Sequence, residues 1–155
     1  MKFSAREDIE APIDYVFRQV TDFEGFERAA MRRGADVEKF AGGAMDGVGT
    51  SWKVGFDFRG KARVMDGKLV ELSSPNWMKF DGKLSGLQVE LAIELVELSK
   101  RRTRLSVTTD LTPSTLSARL LLQSLKLAKN SLTKKYKMRV ATFATDLEDR
   151  HRKFG

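Results

Sequence analysis

A chain of 155 residues, 41% of them hydrophobic, is long enough to bury a core of its own and fits one domain, residues 1–155. It has no cysteine, which excludes disulfides, thiolate catalysis and cysteine-held metal centres. Its single histidine, His151, lies in the charged run Glu148–Lys153, where a frayed end is expected, so neither a Ser-His-Asp triad nor a histidine metal cluster is readable. The formal charge is +7, and all of the excess falls on residues 113–155, because residues 1–112 hold 18 Lys and Arg against 18 Asp and Glu. No window approaches the roughly 18 apolar residues of a membrane span, and Met1–Asp8 has no apolar signal core. A soluble, cytoplasmic protein is expected.

Lys2–Ala11 alternates, with Phe3, Ala5, Ile9 and Ala11 on one side, and predicts a half-buried strand ended by Pro12. From Ile13 the spacing changes to three and four through Val16, Phe17, Val20 and Phe23, predicting an amphipathic helix that Gly25 stops. A second short helix follows over Phe26–Arg33, and Gly34 releases the chain into a strand, Ala35–Phe40. The loop 41–49 contains four glycines but lacks the Gly-Lys-Ser/Thr ending of a phosphate loop and precedes a strand, so it reads as a flexible connection or a rim loop.

Thr50–Gly60 is the clearest strand, with Trp52, Val54, Phe56 and Phe58 on one face. In Lys61–Leu72 the even face holds Ala62, Val64, Val70 and Leu72 but also Asp66 and Lys68. Either a bulge at Asp66-Gly67 returns Met65 and Leu69 to the core, or a charged pair faces inward. Trp77–Leu84 carries Met78, Phe80 and Leu84 on one side. Leu87–Leu98 places Leu87, Val89, Leu91, Ile93 and Leu95 inward, and the return strand after Ser99–Arg102 does so with Leu105, Val107, Thr109 and Leu111.

Thr112–Arg152 predicts one long helix of about 40 residues, opened by Thr112-Pro113-Ser114. One apolar stripe runs through Leu121, Leu125, Ala128, Leu132, Tyr136, Phe143 and Leu147, and a second through Leu116, Leu120, Leu127 and Met138. The strip between them holds Ser117, Ser124 and Ser131, which either lets the helix approach a sheet closely or leaves a space against it.

This order of elements, an α+β pattern of strand, two short helices, a run of antiparallel hairpins and a long terminal helix, resembles the START-like, or helix-grip, superfamily. The superfamily also includes the pollen-allergen, polyketide cyclase/dehydrase and lipid-transfer proteins. The residues that carry the resemblance are Glu7–Pro12 entering the helix at Tyr15-Val16-Phe17, Thr21-Asp22-Phe23 at its end, Gly47–Trp52, Ser74-Pro75 and Thr103-Arg104-Leu105. What the resemblance implies is a curved antiparallel sheet of six to seven strands wrapped around the last helix. Between them lies a cavity for a lipid, polyketide, sterol or isoprenoid-like molecule. It supplies no motif for a catalytic residue, a metal or a cofactor.

The residues expected to line such a cavity are Trp52, Val54, Phe56, Phe58, Phe80, Leu91 and Ile93 from the sheet, and Leu120, Ser124 and Ser131 from the helix. Three function classes follow. The first is a non-catalytic carrier or binder of an apolar molecule. The second is a cyclase, dehydratase or hydrolase in which an inward Asp66 with Lys68 serves as acid and base. The third is surface binding through Lys134–Arg139 and Lys100–Arg104 to an anionic membrane, while the lack of interleaved aromatics argues against nucleic acid.

Overall fold

The computed structural model describes residues 1–154. Its elements run β1 (Lys2–Ile9), α1 (Ile13–Val20), α2 (Phe23–Arg32), β2 (Asp36–Phe40), β3 (Ser51–Phe58), β4 (Lys61–Ser73), β5 (Trp77–Leu84), β6 (Leu87–Ser99), β7 (Arg102–Pro113), α3 (Leu116–Leu127) and α4 (Lys129–Phe154). All seven strands form one antiparallel sheet in the order β1-β7-β6-β5-β4-β3-β2. Each strand pairs with its neighbour in sequence except β1, which pairs with β7 from Lys2↔Asp110 to Ile9↔Thr103. The helices lie on the apolar face.

The alternation in the strands is what fixes that face. Ile9, Leu69, Met78 and Leu105 are fully buried and meet Val16 of α1 and Leu147 of α4 in one core cluster. Each such side chain, fully withdrawn from water, contributes about 1.5–3 kcal/mol. A buried hydroxyl adds direction: Thr103 Oγ1 donates to the carbonyl of Ala11 at 2.8 Å, holding the exit of β1 against the start of β7.

Three local expectations are corrected. The first helix stops at Val20, not at Gly25, because Asp22 caps a new helix: its carboxylate accepts from the Gly25 N–H at 3.1 Å. A Cβ at Gly25 would collide with that carboxylate, so the glycine belongs to the cap and not to a stop signal. The bulge in β4 lies at Leu69–Glu71, three residues beyond the expected place. Alternation is therefore regular through Met65, Gly67 and Leu69, which face inward, while Val64, Asp66 and Lys68 are exposed.

The third correction concerns the terminal helix. β7 continues through Pro113, and Thr115 caps α3 by accepting from the Ala118 N–H at 3.0 Å. α3 then ends at Ala128, whose φ of −103° and ψ of 14° leave the helical region before α4 begins. Neither glycine nor proline accounts for this break. It falls where the chain passes between two core clusters, a small one of Leu87, Ala118 and Leu122 under α3 and the main one under α4. The far end of α4 is docked, not frayed. Tyr15 Oη donates to the Leu147 carbonyl at 3.3 Å, the Glu10 N–H donates to Glu148 Oε1 at 3.2 Å, and the His151 ring lies 4.6 Å from that of Tyr15.

Gly86 sits at the joint between the β5–β6 turn and α3, with a φ of +79° that a side chain disfavours. A Cβ there would stand 2.5 Å from Thr115 Oγ1 and 3.2 Å from the Ala118 Cβ, and the Gly86 carbonyl accepts from both the backbone and the hydroxyl of Ser114. Gly86→Ala is expected to lower unfolding stability by about 2–4 kcal/mol, read from urea midpoints. Gly43→Ala, in open space, should stay within about 0.5 kcal/mol of the parent.

Candidate functional site: an apolar cavity between sheet and helices

The apolar face of the sheet is wider than the helices that cover it. α1 and the second half of α4 close over β1, β7 and β6, whereas α2 lies toward β2. Between them remains a cavity of about 490 Å³, within the range of small-molecule sites. Trp52 and Val54 of β3, Phe80 of β5, and Leu91 and Ile93 of β6 line it from the sheet. From the helices come Phe23, Phe26 and Ala30 of α2, and Val140 and Phe143 of α4.

The aromatic residues are braced against one another. Phe23 meets Trp52 at 5.5 Å and Phe80 at 5.9 Å between ring centroids, and Trp52 meets Phe80 at 5.9 Å. Phe26 reaches across from α2 to Phe143 of α4 at 5.8 Å. Of the lining residues, Phe26 and Arg139 are exposed, which puts the opening between α2 and α4. One position of the floor lacks a side chain. Gly67 of β4 pairs with Trp52 on one side and Gly82 of β5 on the other, and a Cβ at Gly67 would meet nothing within 4 Å.

Polar chemistry is sparse. The ionisable lining residues are Glu27 and Arg139. Glu27 is already engaged, since its Oε2 accepts from the Trp52 indole N–H at 3.1 Å and stands 3.4 Å from the Lys39 ammonium. The indole donor is thereby satisfied, and the tryptophan presents its apolar surface inward. Farther along α4, Tyr136 stacks on Phe3 at 5.6 Å and shares a 3.0 Å hydrogen bond with Thr109. Burial raises the Tyr136 phenol above the ordinary tyrosine value, and the Thr109 bond offsets part of that rise.

Five of the ten residues expected from sequence line this cavity: Trp52, Val54, Phe80, Leu91 and Ile93. Phe56 is half-buried outside the lining, and Phe58 is 42% exposed at the β3–β4 tip, with Arg59 and Arg63 over its ring at 5.5 and 5.9 Å. Leu120, Ser124 and Ser131 stand in solvent. Asp66 and Lys68 lie on the outer face of the sheet, in a shallow depression with Lys53, Asp81 and Lys83. That orientation removes the inward acid–base pair. No residue of the loop 41–49 lines the cavity, and Gly49 is tied to β4 by its N–H to the Leu69 carbonyl at 2.8 Å. Reading missed the α2 face of Phe23, Phe26, Glu27 and Ala30, although its spacing of three and four was visible.

No protein-family model matches the chain, and no curated protein does. Solved structures do. The Zhui aromatase/cyclase of Streptomyces sp. R1128 superimposes with a TM-score of 0.68 at 16% identity over 97% of this chain and 94% of that one. A norcoclaurine synthase of Thalictrum flavum gives 0.68 at 15% identity over 98% and 96%. A START superfamily protein of Mycobacterium smegmatis gives 0.58 at 14% identity over 90% and 98%. The chain has the START-like, helix-grip fold. In helix-grip terms, α4 is the gripped helix and the cavity lies between the sheet, α2 and α4. No helix among the described residues is long and apolar enough to cross a membrane.

The raised Tyr136 phenol has a signed consequence. Its contribution to stability is complete below the unfolded tyrosine pKa of about 10 and is lost as pH rises above that value through the folded one. Tyr136→Phe is expected to flatten the decline of the urea midpoint above about pH 10. The difference between parent and variant isolates this group.

Proposed function

We propose that the protein binds an apolar small molecule of the lipid, polyketide or isoprenoid-like class in this cavity. One observation carries the reading: a preformed space of about 490 Å³ has an almost wholly hydrocarbon and aromatic lining, and its one inward-facing carboxylate, Glu27, is occupied by Trp52 and Lys39. Such a wall offers dispersion contact and water exclusion but few orienting hydrogen bonds, so it selects by shape and volume. The aromatase/cyclase and the synthase that share the fold use other sequences throughout, at 16% and 15% identity. A cyclase or dehydratase reading here has lost its proposed acid–base pair, because Asp66 and Lys68 face away from the cavity. The apolar lining favours a carrier or binder.

Gly67 supplies a sharp test, because it lines the cavity and a Cβ added there meets no atom within 4 Å. Native mass spectrometry of gently purified protein, with organic extraction, should release a defined apolar compound from the parent and not from Gly67→Leu. Nile red should bind the parent at least about tenfold more tightly than Gly67→Leu, a difference of about 1.4 kcal/mol, with thermal stability unchanged. Equal dye binding by the two, or repeated recovery of an empty parent that ignores the dye, would sink the proposal.

A further inference from the structure

α3 is amphipathic twice over. Ala118, Leu122 and Leu125 are buried beneath it, which satisfies its need for a core. Yet Leu116, Leu120 and Leu127 are 72%, 59% and 92% exposed. At 100° per residue these three fall within an arc of about 40°, at the pole opposite the buried residues. Arg119 and Lys126 flank that pole on one side, and Ser117 and Ser124 on the other, all exposed. A helix whose packing is complete has no folding reason to keep three leucines in water.

The charge along this stretch of chain is of one sign. Between Leu111 and Thr145 there is no aspartate or glutamate, whereas Arg119, Lys126, Lys129, Lys134, Lys135, Lys137 and Arg139 are all cationic. Among the described residues none of the seven forms an ion pair. Met138, 63% exposed, lies within this run, and Arg139 at its end lines the cavity. Along the chain these cations therefore extend from the leucine pole of α3 to Arg139 at the cavity opening.

We infer that α3 is a docking element for an anionic phospholipid surface, inserting Leu116, Leu120 and Leu127 among the acyl chains while Arg119, Lys126 and the lysines of early α4 meet the headgroups. Charge selects this occupant. A second copy would oppose two α3 helices that carry Arg119 and Lys126 and no acid, and a nucleic acid would set phosphates against leucine. Apolar insertion and attraction to anionic lipid reinforce each other at a bilayer interface, and the strip holds both. The inference stands apart from what fills the cavity, since no α3 residue lines it.

The experiment is flotation of the full chain with vesicles of pure phosphatidylcholine and with vesicles containing about a third phosphatidylglycerol. Binding is expected to the second and not the first, and to fall at about 1 M salt, where the Debye length is about 3 Å. The triple variant Leu116→Gln, Leu120→Gln, Leu127→Gln should keep the parent's urea midpoint and lose at least about tenfold in vesicle affinity. Lys126→Gln with Lys134→Gln and Lys135→Gln, a second and independent variant, should do the same by weakening headgroup attraction. Equal distribution between the two vesicle types would overturn the inference, as would a glutamine triple that floats like the parent. A dimer that the glutamine triple dissociates, or salt-sensitive binding to duplex DNA without vesicle binding, would assign the face to another partner and equally overturn it.

Discussion

The pairing of β1 with β7 is the constraint from which the rest follows. It joins the first strand to the last and therefore fixes where both sets of helices start. α1 leaves from the Ile9 end, held by Thr103, and α3 leaves from the opposite end, beyond Pro113. A chain that exits there must run back along the sheet to cover it. α4 does so, passing Phe3 at Tyr136 and arriving at Tyr15 and Glu10 with Leu147 and Glu148. The gripped helix is thus aligned with β1 by contacts at both its ends, and its burial cannot be completed before the most distant strands in the sequence have met.

The cavity is a consequence of unequal widths. Seven strands offer more apolar face than α1, α2 and α4 can cover, and α2 is turned toward β2 by its Asp22 cap and the Glu27 contact with Trp52. Close packing would ordinarily erase the remaining space. Here Gly67 leaves the floor bare, and the rings of Phe23, Trp52 and Phe80 hold one another at the edge, so the wall does not fold inward. A braced aromatic rim and a glycine in the floor together preserve a volume that the hydrophobic effect alone would close.

The strands were legible because a period of two needs only local contrast, and five lining residues of β3, β5 and β6 follow from it directly. Register was less so. Nothing in Lys61–Ser73 marks Val70 as the residue left unpaired against β5, because register depends on the partner strand and not on the strand's own alternation. The helical share of the site was misplaced for two reasons. Gly25 looked like a stop, when its missing side chain makes room for the Asp22 cap. Two apolar stripes on one helical stretch gave no ground for choosing which faces in, and Leu120, Ser124 and Ser131 belong to the side that does not. An apolar pattern states that a face avoids water without naming what it prefers.

The interruption at Ala128 divides the terminal stretch into units of unequal hold. α4 belongs to the main core through Ala144 and Leu147, while α3 rests on Leu87 and its few neighbours, clamped at one end by Gly86 and Ser114. Opening free energy scales with the apolar surface an element shares with the rest, so the amides of α3 should exchange by local detachment and those of α4 only as the whole molecule opens. The two helices of the terminal stretch thus rest on separate cores, and the walls of the cavity belong to the one that α4 shares.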